Sequence, residues 1–472
     1  MIERQVLADF LPDVSISAAD VAAIVSTTAT ILVVLDDDPT GTQSVSNLPV
    51  LTQWDVADFE WAFTQGASAV YVLTNTRSLD PAEAATRNRE IVVNALAAAA
   101  GNTPLAFVSR SDSTLRGHYP LETDVIAETL LEISGERIDG VVIVPAFPDA
   151  GRVTIGGTHY MRSGDELTPV AETEFAKDAT FGYTHSDLAG WVEEKSAGRF
   201  TTDQVIVLDL NIIRAGADAV ADALAGATGS TPIVADAVTE EDLRLLALGL
   251  VESESRGKKL LYRVGPPFVR ARIGQEKHNP LTAAEVFPAS HTNTGGGLIV
   301  VGSHVGVTSR QLAQLRVERP DAVTIEIDVT KVINVPAAEQ YLDEVSAQIA
   351  GHLATGDVIV HTSRLLVKSD DPNESLDFSR QVSAAVVAVV QKTLAAHPPR
   401  FVIAKGGITS SDVAAHGLSI RHAIVRGPML PGIVSLWEPV DGPAIGIPYI
   451  VFAGNVGDDD SLARVVETLS AP

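Results

Sequence analysis

The 472-residue sequence predicts an α/β protein of two domains, each a mainly parallel sheet flanked by helices. Three observations carry that expectation. Short β-branched runs alternate with longer Ala- and Leu-rich segments of helical period, the pattern of repeated βαβ units. The alternation lapses once, over residues 275–297, where two prolines and three consecutive glycines break any periodicity, and then resumes. The length sets a prior of two or three domains.

Taken in order, the first series of strands is Ile31–Leu35, Ala69–Leu73, Leu105–Val108, Val141–Val144 and Val205–Leu208. Helices of 3.6-residue period lie between them, among them Pro81–Ala100 and Leu121–Ile133. The second series is Leu298–Val301, Val323–Ile327, Val358–Val360, Phe401–Ala404 and Tyr449–Phe452, with helices starting near Ser309, Pro336, Glu374, Ser410 and Asp460. The expected division is therefore a domain over 1–274, a connection over 275–297 and a domain over 298–472.

Composition narrows the function. Apolar residues make up 46% and charged residues 20%, the range of a globular chain. A net charge of −26 disfavours nucleic acid and anionic membranes as partners, so an anionic ligand needs local donors. The absence of cysteine excludes disulfides, thiolate metal sites and a cysteine nucleophile. Residues 1–10 lack a basic start followed by an apolar run, and no stretch reaches the about 18 apolar residues of a membrane helix. The most apolar helical stretch, Val382–Ala396, is interrupted by Gln391 and Lys392. A cytoplasmic location is expected.

Polar loops follow successive strands of the first series. After Ile31–Leu35 comes Asp36-Asp37-Asp38-Pro39-Thr40-Gly41-Thr42-Gln43, three adjacent acids that need a compensating cation or a proton-accepting task. A solvated, helix-capping turn is the plain alternative, but the end of a strand in an open α/β sheet is where ligands gather. After Leu105–Val108, residues 109–118 hold two guanidinium groups, four hydroxyls, a carboxylate and an imidazole in ten positions. Arg110 and Arg116 offer planar forks for a carboxylate or phosphate. Ser111, Asp112, Ser113 and Thr114 suit a polyhydroxylated ligand, whose every hydroxyl both donates and accepts. An Arg116–Asp112 pair at i, i+4 is the plain structural use of the same residues. Thr74–Ser78 adds Arg77, and Pro145–Arg152 adds a rigid wall and a further arginine.

In the second series, glycines sit at three strand ends: Gly302-Ser303-His304, Lys405-Gly406-Gly407-Ile408-Thr409-Ser410 and Gly454-Asn455-Val456-Gly457. Bare backbone approaches a phosphate chain closely, so the trio points to a nucleotide. Neither G-x-x-x-x-G-K-[ST] nor a helix-opening G-x-G-x-x-G is present. The eleven histidines show no H-E-x-x-H, and no G-x-S-x-G elbow occurs.

These motifs together resemble the four-carbon acid sugar kinases, over nearly the whole chain. The resemblance rests on Asp37-Asp38-Pro39-Thr40-Gly41, Asp112-Ser113-Thr114-Leu115-Arg116-Gly117, Pro145-Ala146-Phe147 with Gly151-Arg152, Gly406-Gly407 with Thr409-Ser410, and Gly454-Asn455 with Gly457, in the family order. It implies a sugar-binding N-terminal domain, a nucleotide-binding C-terminal domain and ATP-dependent phosphorylation of tetronate-type acids. It further implies that Asp38, Arg77 and Arg110, Ser111, Asp112, Ser113 and Thr114 contact the acid. Ser303, Gly406, Gly407, Ile408, Thr409 and Gly454 would contact ATP. The chain departs from many members at Pro39, at Arg110 where they have lysine, and at Ile408 where they often have glutamate. Arg110 keeps the charge in another geometry, and Ile408 leaves only its backbone N–H for phosphate.

Phosphoryl transfer needs positioning, charge neutralisation and a proton acceptor. Asp38, or else Asp37, is the expected general base; Arg77 and Arg110 are expected to hold the substrate carboxylate. The glycine loops, Lys405 and Mg²⁺ are expected to hold the triphosphate, in a site that closes against water. A metal-dependent sugar-acid dehydratase or aldolase and a non-catalytic nucleotide and metabolite sensor are the competing functions. Self-association into a homo-oligomer stays open.

Overall fold

A computed structural model describes residues 1–38, 40–101, 103–288, 293–363 and 372–471. Pro39, in the acidic motif, and residues 289–292, in the expected connection, lie outside the described residues. The chain is mixed α/β and divides into two compact units, Met1–Gly41 with Trp54–Lys277 and Thr42–Gln53 with His278–Pro472. Residues 42–53 thus pack with the C-terminal unit, a grouping that composition along the chain does not reveal.

The strands follow the chain as β1 (Ile31–Asp36), β2 (Leu48–Leu51), β3 (Ala69–Leu73), β4 (Leu105–Arg110) and β5 (Gly140–Val144). Next come β6 (Arg152–Ile155), β7 (Thr158–Ser163), β8 (Glu166–Pro169), β9 (Ile206–Leu208), β10 (Thr231–Ala235) and β11 (Leu260–Val264). In the first unit, the order β3-β1-β4-β11-β5-β10-β9 makes one parallel sheet. β6, β7 and β8 form a separate antiparallel sheet. Strands β1, β3 and β5 are buried almost throughout, as a sheet covered by helices on both faces requires. Helix Pro81–Ala99 begins on an Asp80 cap, whose carboxylate accepts from the Ala82 and Glu83 amides, with proline at its first position. Helix Leu121–Ser134 ends on the left-handed Gly135.

The second unit contributes β12 (Leu298–Val301), β13 (Val323–Ile327), β14 (Val358–Thr362), β15 (Val402–Lys405), β16 (His422–Leu430), β17 (Val434–Pro439) and β18 (Tyr449–Phe452). β13-β14-β12-β15-β18 run parallel, and β17, β16 and β2 extend that sheet antiparallel. Four residues of β2 pair with His422–Val425 of β16, and this pairing is what draws residues 42–53 into the unit. Ile299, Ile359, Phe401, Ile403, Ile450 and Leu462 lie in its core. Among the described residues no helix is long and apolar enough to cross a membrane.

Both sheets contain a switch point, where successive connections leave in opposite directions. In the first unit β3 lies on one side of β1 and β4 on the other. In the second, β14 and β15 flank β12 in the same way. The crevice at such a point, beyond the carboxyl ends of the strands, is where open α/β sheets take their ligands.

Candidate active site

The first switch point gathers the acids and guanidinium groups. Parallel register sets Asp36 of β1 directly beside Arg110 of β4, and their side chains form a buried ion pair. The Arg110 guanidinium also donates from Nη2 to the Asp38 carbonyl at 2.7 Å and lies 3.7 Å from Asp37 Oδ1. Arg110 is therefore a brace that holds the acidic turn. The residue expected to hold the substrate carboxylate is thus already engaged by Asp36 and the Asp38 carbonyl, with its side chain 3% exposed.

Arg77 is placed otherwise. It sits on the short turn Thr76–Ser78 after β3, which the left-handed Asn75 starts. Its Nη2 donates to Asp37 Oδ1 at 2.6 Å, its Nε to Asp37 Oδ2 at 3.1 Å and its Nη1 to Asp38 Oδ2 at 3.3 Å. The two carboxylates differ in access: the Asp37 side chain is 2% exposed and that of Asp38 26%. Burial, opposed by the Arg77 charge, pushes the Asp37 carboxyl up to about 7. Asp38 Oδ1 accepts from the Thr40 amide at 2.9 Å and the Thr40 hydroxyl at 2.5 Å.

Residues 111–118 close the same crevice. The Ser111 amide donates to the Val264 carbonyl at 2.9 Å, tying the loop to β11. The Thr114 hydroxyl donates to Asp112, and Arg116 Nε donates to Asp112 Oδ2 at 2.6 Å. Burial raises the Asp112 carboxyl, but the Arg77 and Arg116 charges and the Thr114 hydrogen bond outweigh it and hold it at about 2. Two side chains from outside the loop fix its backbone. His159 Nε2 meets the Ser113 carbonyl at 2.8 Å, and the Tyr183 hydroxyl donates to the Thr114 carbonyl at 2.8 Å. Burial pushes the His159 ring down to about 4, so it is neutral near pH 7. Ser111, Ser113 and Thr114 are buried with it. Arg152, from the Pro145–Arg152 loop, donates from Nη1 to the Ala150 carbonyl at 2.8 Å, and its charge acts on Asp112 and His159.

Arg263, near the end of β11, is a residue that the loop-by-loop reading of the sequence misses. Its guanidinium stacks 5.3 Å from the Tyr119 ring centroid, and its Nη1 lies 3.6 Å from Glu122 Oε2. A Cβ on Gly117 would lie 3.1 Å from Asp37 Oδ2 and 3.3 Å from Arg263 Nη2. Its mark in the sequence is an arginine inside the apolar run Leu260-Leu261-Tyr262-Arg263-Val264, a costly place for a charge without a task.

The second switch point brings the glycine-bearing strand ends together. Gly406, at the end of β15, has φ +131°, and a Cβ there would lie 3.1 Å from both Ser303 Cβ and Thr409 Oγ1. A Cβ on Gly454 would approach Ser303 Oγ to 2.6 Å, and one on Gly302 would collide with Thr409. Ser303, Gly406, Thr409 and Gly454 thus form one cluster of bare backbone and hydroxyls. Gly407 follows it, and the Ile408 side chain is 61% exposed beside it. The Thr308 hydroxyl donates to the Gly454 carbonyl at 2.7 Å and steadies the last loop. Lys405 departs from expectation. It is fully buried, its Nζ donates to the Ala453 carbonyl at 2.6 Å and stands 3.9 Å from the Phe452 ring centroid. It therefore supports the loop from beneath and does not reach toward a phosphate. Burial pushes its amine down to about 7.

A cavity of about 250 Å³ adjoins this cluster, lined by Gly302, Ile408 and Thr409 together with apolar side chains such as Val329, Val382 and Val386. Among the described residues no group of three or more His, Asp or Glu side chains could hold a metal ion.

The sequence profile of a sugar-binding N-terminal domain matches residues 32–272, and that of a nucleotide-binding C-terminal domain matches residues 298–462. The chain is 29% identical over 287 residues to a D-erythronate kinase of Heliobacterium modesticaldum, a match spanning 60% of this chain and 58% of that relative's length. It is 26% identical over 395 residues to a D-threonate kinase of Cupriavidus necator, covering 78% of this chain and 82% of the other. A D-threonate kinase of Salmonella typhimurium is also 26% identical, over 84% of this chain and 87% of its own. Two crystal structures share the fold at 20% identity. One is a Haemophilus influenzae protein, with TM-score 0.62 over 93% of this chain and 100% of that one. The other is a Salmonella typhimurium LT2 protein, with TM-score 0.65 over 92% and 98%.

Proposed function

Because this chain belongs to the family that joins a sugar-binding N-terminal domain to a nucleotide-binding C-terminal domain, the four-carbon acid sugar kinase architecture, we propose that it transfers the terminal phosphate of ATP to a hydroxyl of a small sugar acid. Relatives named D-erythronate and D-threonate kinases support an acceptor of that size and charge. The observation that carries the reading is the first switch point, where Arg77 bridges a buried Asp37 and an accessible Asp38.

In this mechanism Asp38 is the general base and Asp37 is not. A base must reach its proton, and Asp38 is the acid with exposed surface. Asp38 takes the proton of the substrate hydroxyl, the freed oxygen forms the new P–O bond, and the bond from the terminal phosphorus to ADP breaks. Asp37 anchors Arg77 by its Nε and Nη2, which leaves the Nη1 edge beside Asp38 as the cationic donor to meet the substrate carboxylate. Ser111, Ser113, Thr114 and Asp112 would read the hydroxyls, with the loop held by His159 and Tyr183. Gly407, Ile408 and Thr409 would offer backbone N–H groups to the phosphates, beside the bare backbone of Gly406 and Gly454 and the Ser303 hydroxyl, while the Gly406 N–H is held by the Phe452 carbonyl. Mg²⁺ would accompany the triphosphate at the glycine cluster. Bound there, it would neutralise phosphate charge.

The test is acid-dependent ADP release from ATP across four-carbon sugar acids and the matching uncharged polyols. The proposal expects turnover with at least one acid and none with its polyol. Consumption of an acid without ADP release would favour a dehydratase or aldolase.

A further inference from the structure

We infer that the cavity beside the glycine cluster is a 6-aminopurine pocket in which Asp412 selects adenine over bases with an oxygen at that position. The inference rests on the kinase reading and adds its nucleobase specificity. A dry cavity of about 150 Å³ accepts one benzene ring, so about 250 Å³ suits a two-ring base. Its lining combines aliphatic walls, Ile333, Val386 and Val413 among them, with polar side chains that include His304, Thr362 and Ser379. Gly302 and Thr409 belong to both the cavity and the glycine cluster, so a base in the one keeps its phosphates near the other.

Two polar lining residues act as a pair. Ser383, on the helix Pro372–Ala396, donates its hydroxyl to Asp412 Oδ2. Asp412 ends the short helix Gly407–Asp412, which starts within the glycine cluster. Asp412 Oδ1 receives no hydrogen bond from any described residue, although the side chain is half-buried. A carboxylate only accepts, and beside aliphatic walls it gains most from an N–H donor. Adenine presents an amino group at position 6, whereas guanine and hypoxanthine present an oxygen there. That oxygen would face the carboxylate with no proton between them. Ser383 keeps the carboxylate oriented by occupying its other oxygen.

The experiment is calorimetric binding of ADP and IDP to the full chain, wild type and D412N, with ATP and ITP turnover measured alongside. Wild type should bind ADP about 10- to 100-fold more tightly than IDP, the range of one unmatched buried polar group. In D412N the amide donates to the purine oxygen, so the ratio should fall to one or invert. Equal affinities in wild type, a measurement needing no variant, overturn the inference while leaving the kinase reading standing. An unchanged ratio in a folded D412N also overturns it. A clear ADP preference with no acid phosphorylated supports the pocket and overturns the proposed acceptor. If neither diphosphate binds, both fall.

Discussion

Arg77 closes on Asp37 through two parallel hydrogen bonds, Nη2 to Oδ1 at 2.6 Å and Nε to Oδ2 at 3.1 Å, and reserves its remaining Nη1 for Asp38 at 3.3 Å. One guanidinium thus spends its fork on a buried acid and keeps one edge for the acid that can meet a substrate. Arg77→Lys should remove that fork, because an ammonium is a point charge. The KM for the sugar acid should rise about 10-fold or more, the cost of one charge-assisted hydrogen bond, while the KM for ATP changes less than about 2-fold. Equal changes in both constants would contradict the assignment.

The two acids should separate kinetically. Asp38→Asn should lower kcat by about 10²- to 10⁴-fold, the usual worth of a general base, with nucleotide affinity preserved. Asp37→Asn should act mainly through Arg77 and raise the KM for the acid more than it lowers kcat. Steady-state kinetics on both variants decides this, and the reverse pattern would move the base to Asp37.

Lys405 gives a stability signature with a defined sign. Its amine is pushed down from 10.5 to about 7 by burial, so the folded state disfavours the charged form. The penalty is fully present below about pH 7 and is relieved as pH rises toward 10.5. Lys405→Met, of similar length and uncharged, should raise the Tm at pH 6, and the gain should vanish by about pH 10. Thermal unfolding at the two pH values checks it; a lower Tm at pH 6 would mean that the bond to the Ala453 carbonyl outweighs burial of the charge.

Gly117→Ala should damage the first crevice locally. Gly117 has φ +118°, and the added methyl would press on Asp37 and Arg263. A loss of about 1–3 kcal/mol is expected from the backbone alone, read as a lower denaturant midpoint. The acid's KM should rise with it, and unchanged binding would place the substrate away from Gly117.

The sequence made the strand ends legible because residue type and position after an apolar run need no knowledge of pairing. Asp37-Asp38 and Gly406-Gly407 stand out by that pattern, whereas the strand order that makes each place a switch point does not. What it hid was long-range. Arg110 and Arg77 look equivalent as arginines after strands, yet register puts Arg110 against Asp36 and buries it. Lys405 reads as a phosphate ligand beside two glycines, but it is the last residue of β15 and its side chain turns into the core. β2 is a four-residue run whose partner, β16, lies far along the chain, so nothing local assigns it to the second unit. Strand β11 carries no clear apolar signature because Arg263 interrupts its run.

The most direct measurement is identification of the product. The full chain would be incubated with ATP, Mg²⁺ and each four-carbon sugar acid, and the mixture followed by phosphorus NMR and mass spectrometry. One phosphate monoester of the acid is expected for each ADP formed, lost in Asp38→Asn. ADP without a phosphorylated acid, or an acid altered without gaining phosphate, would contradict it.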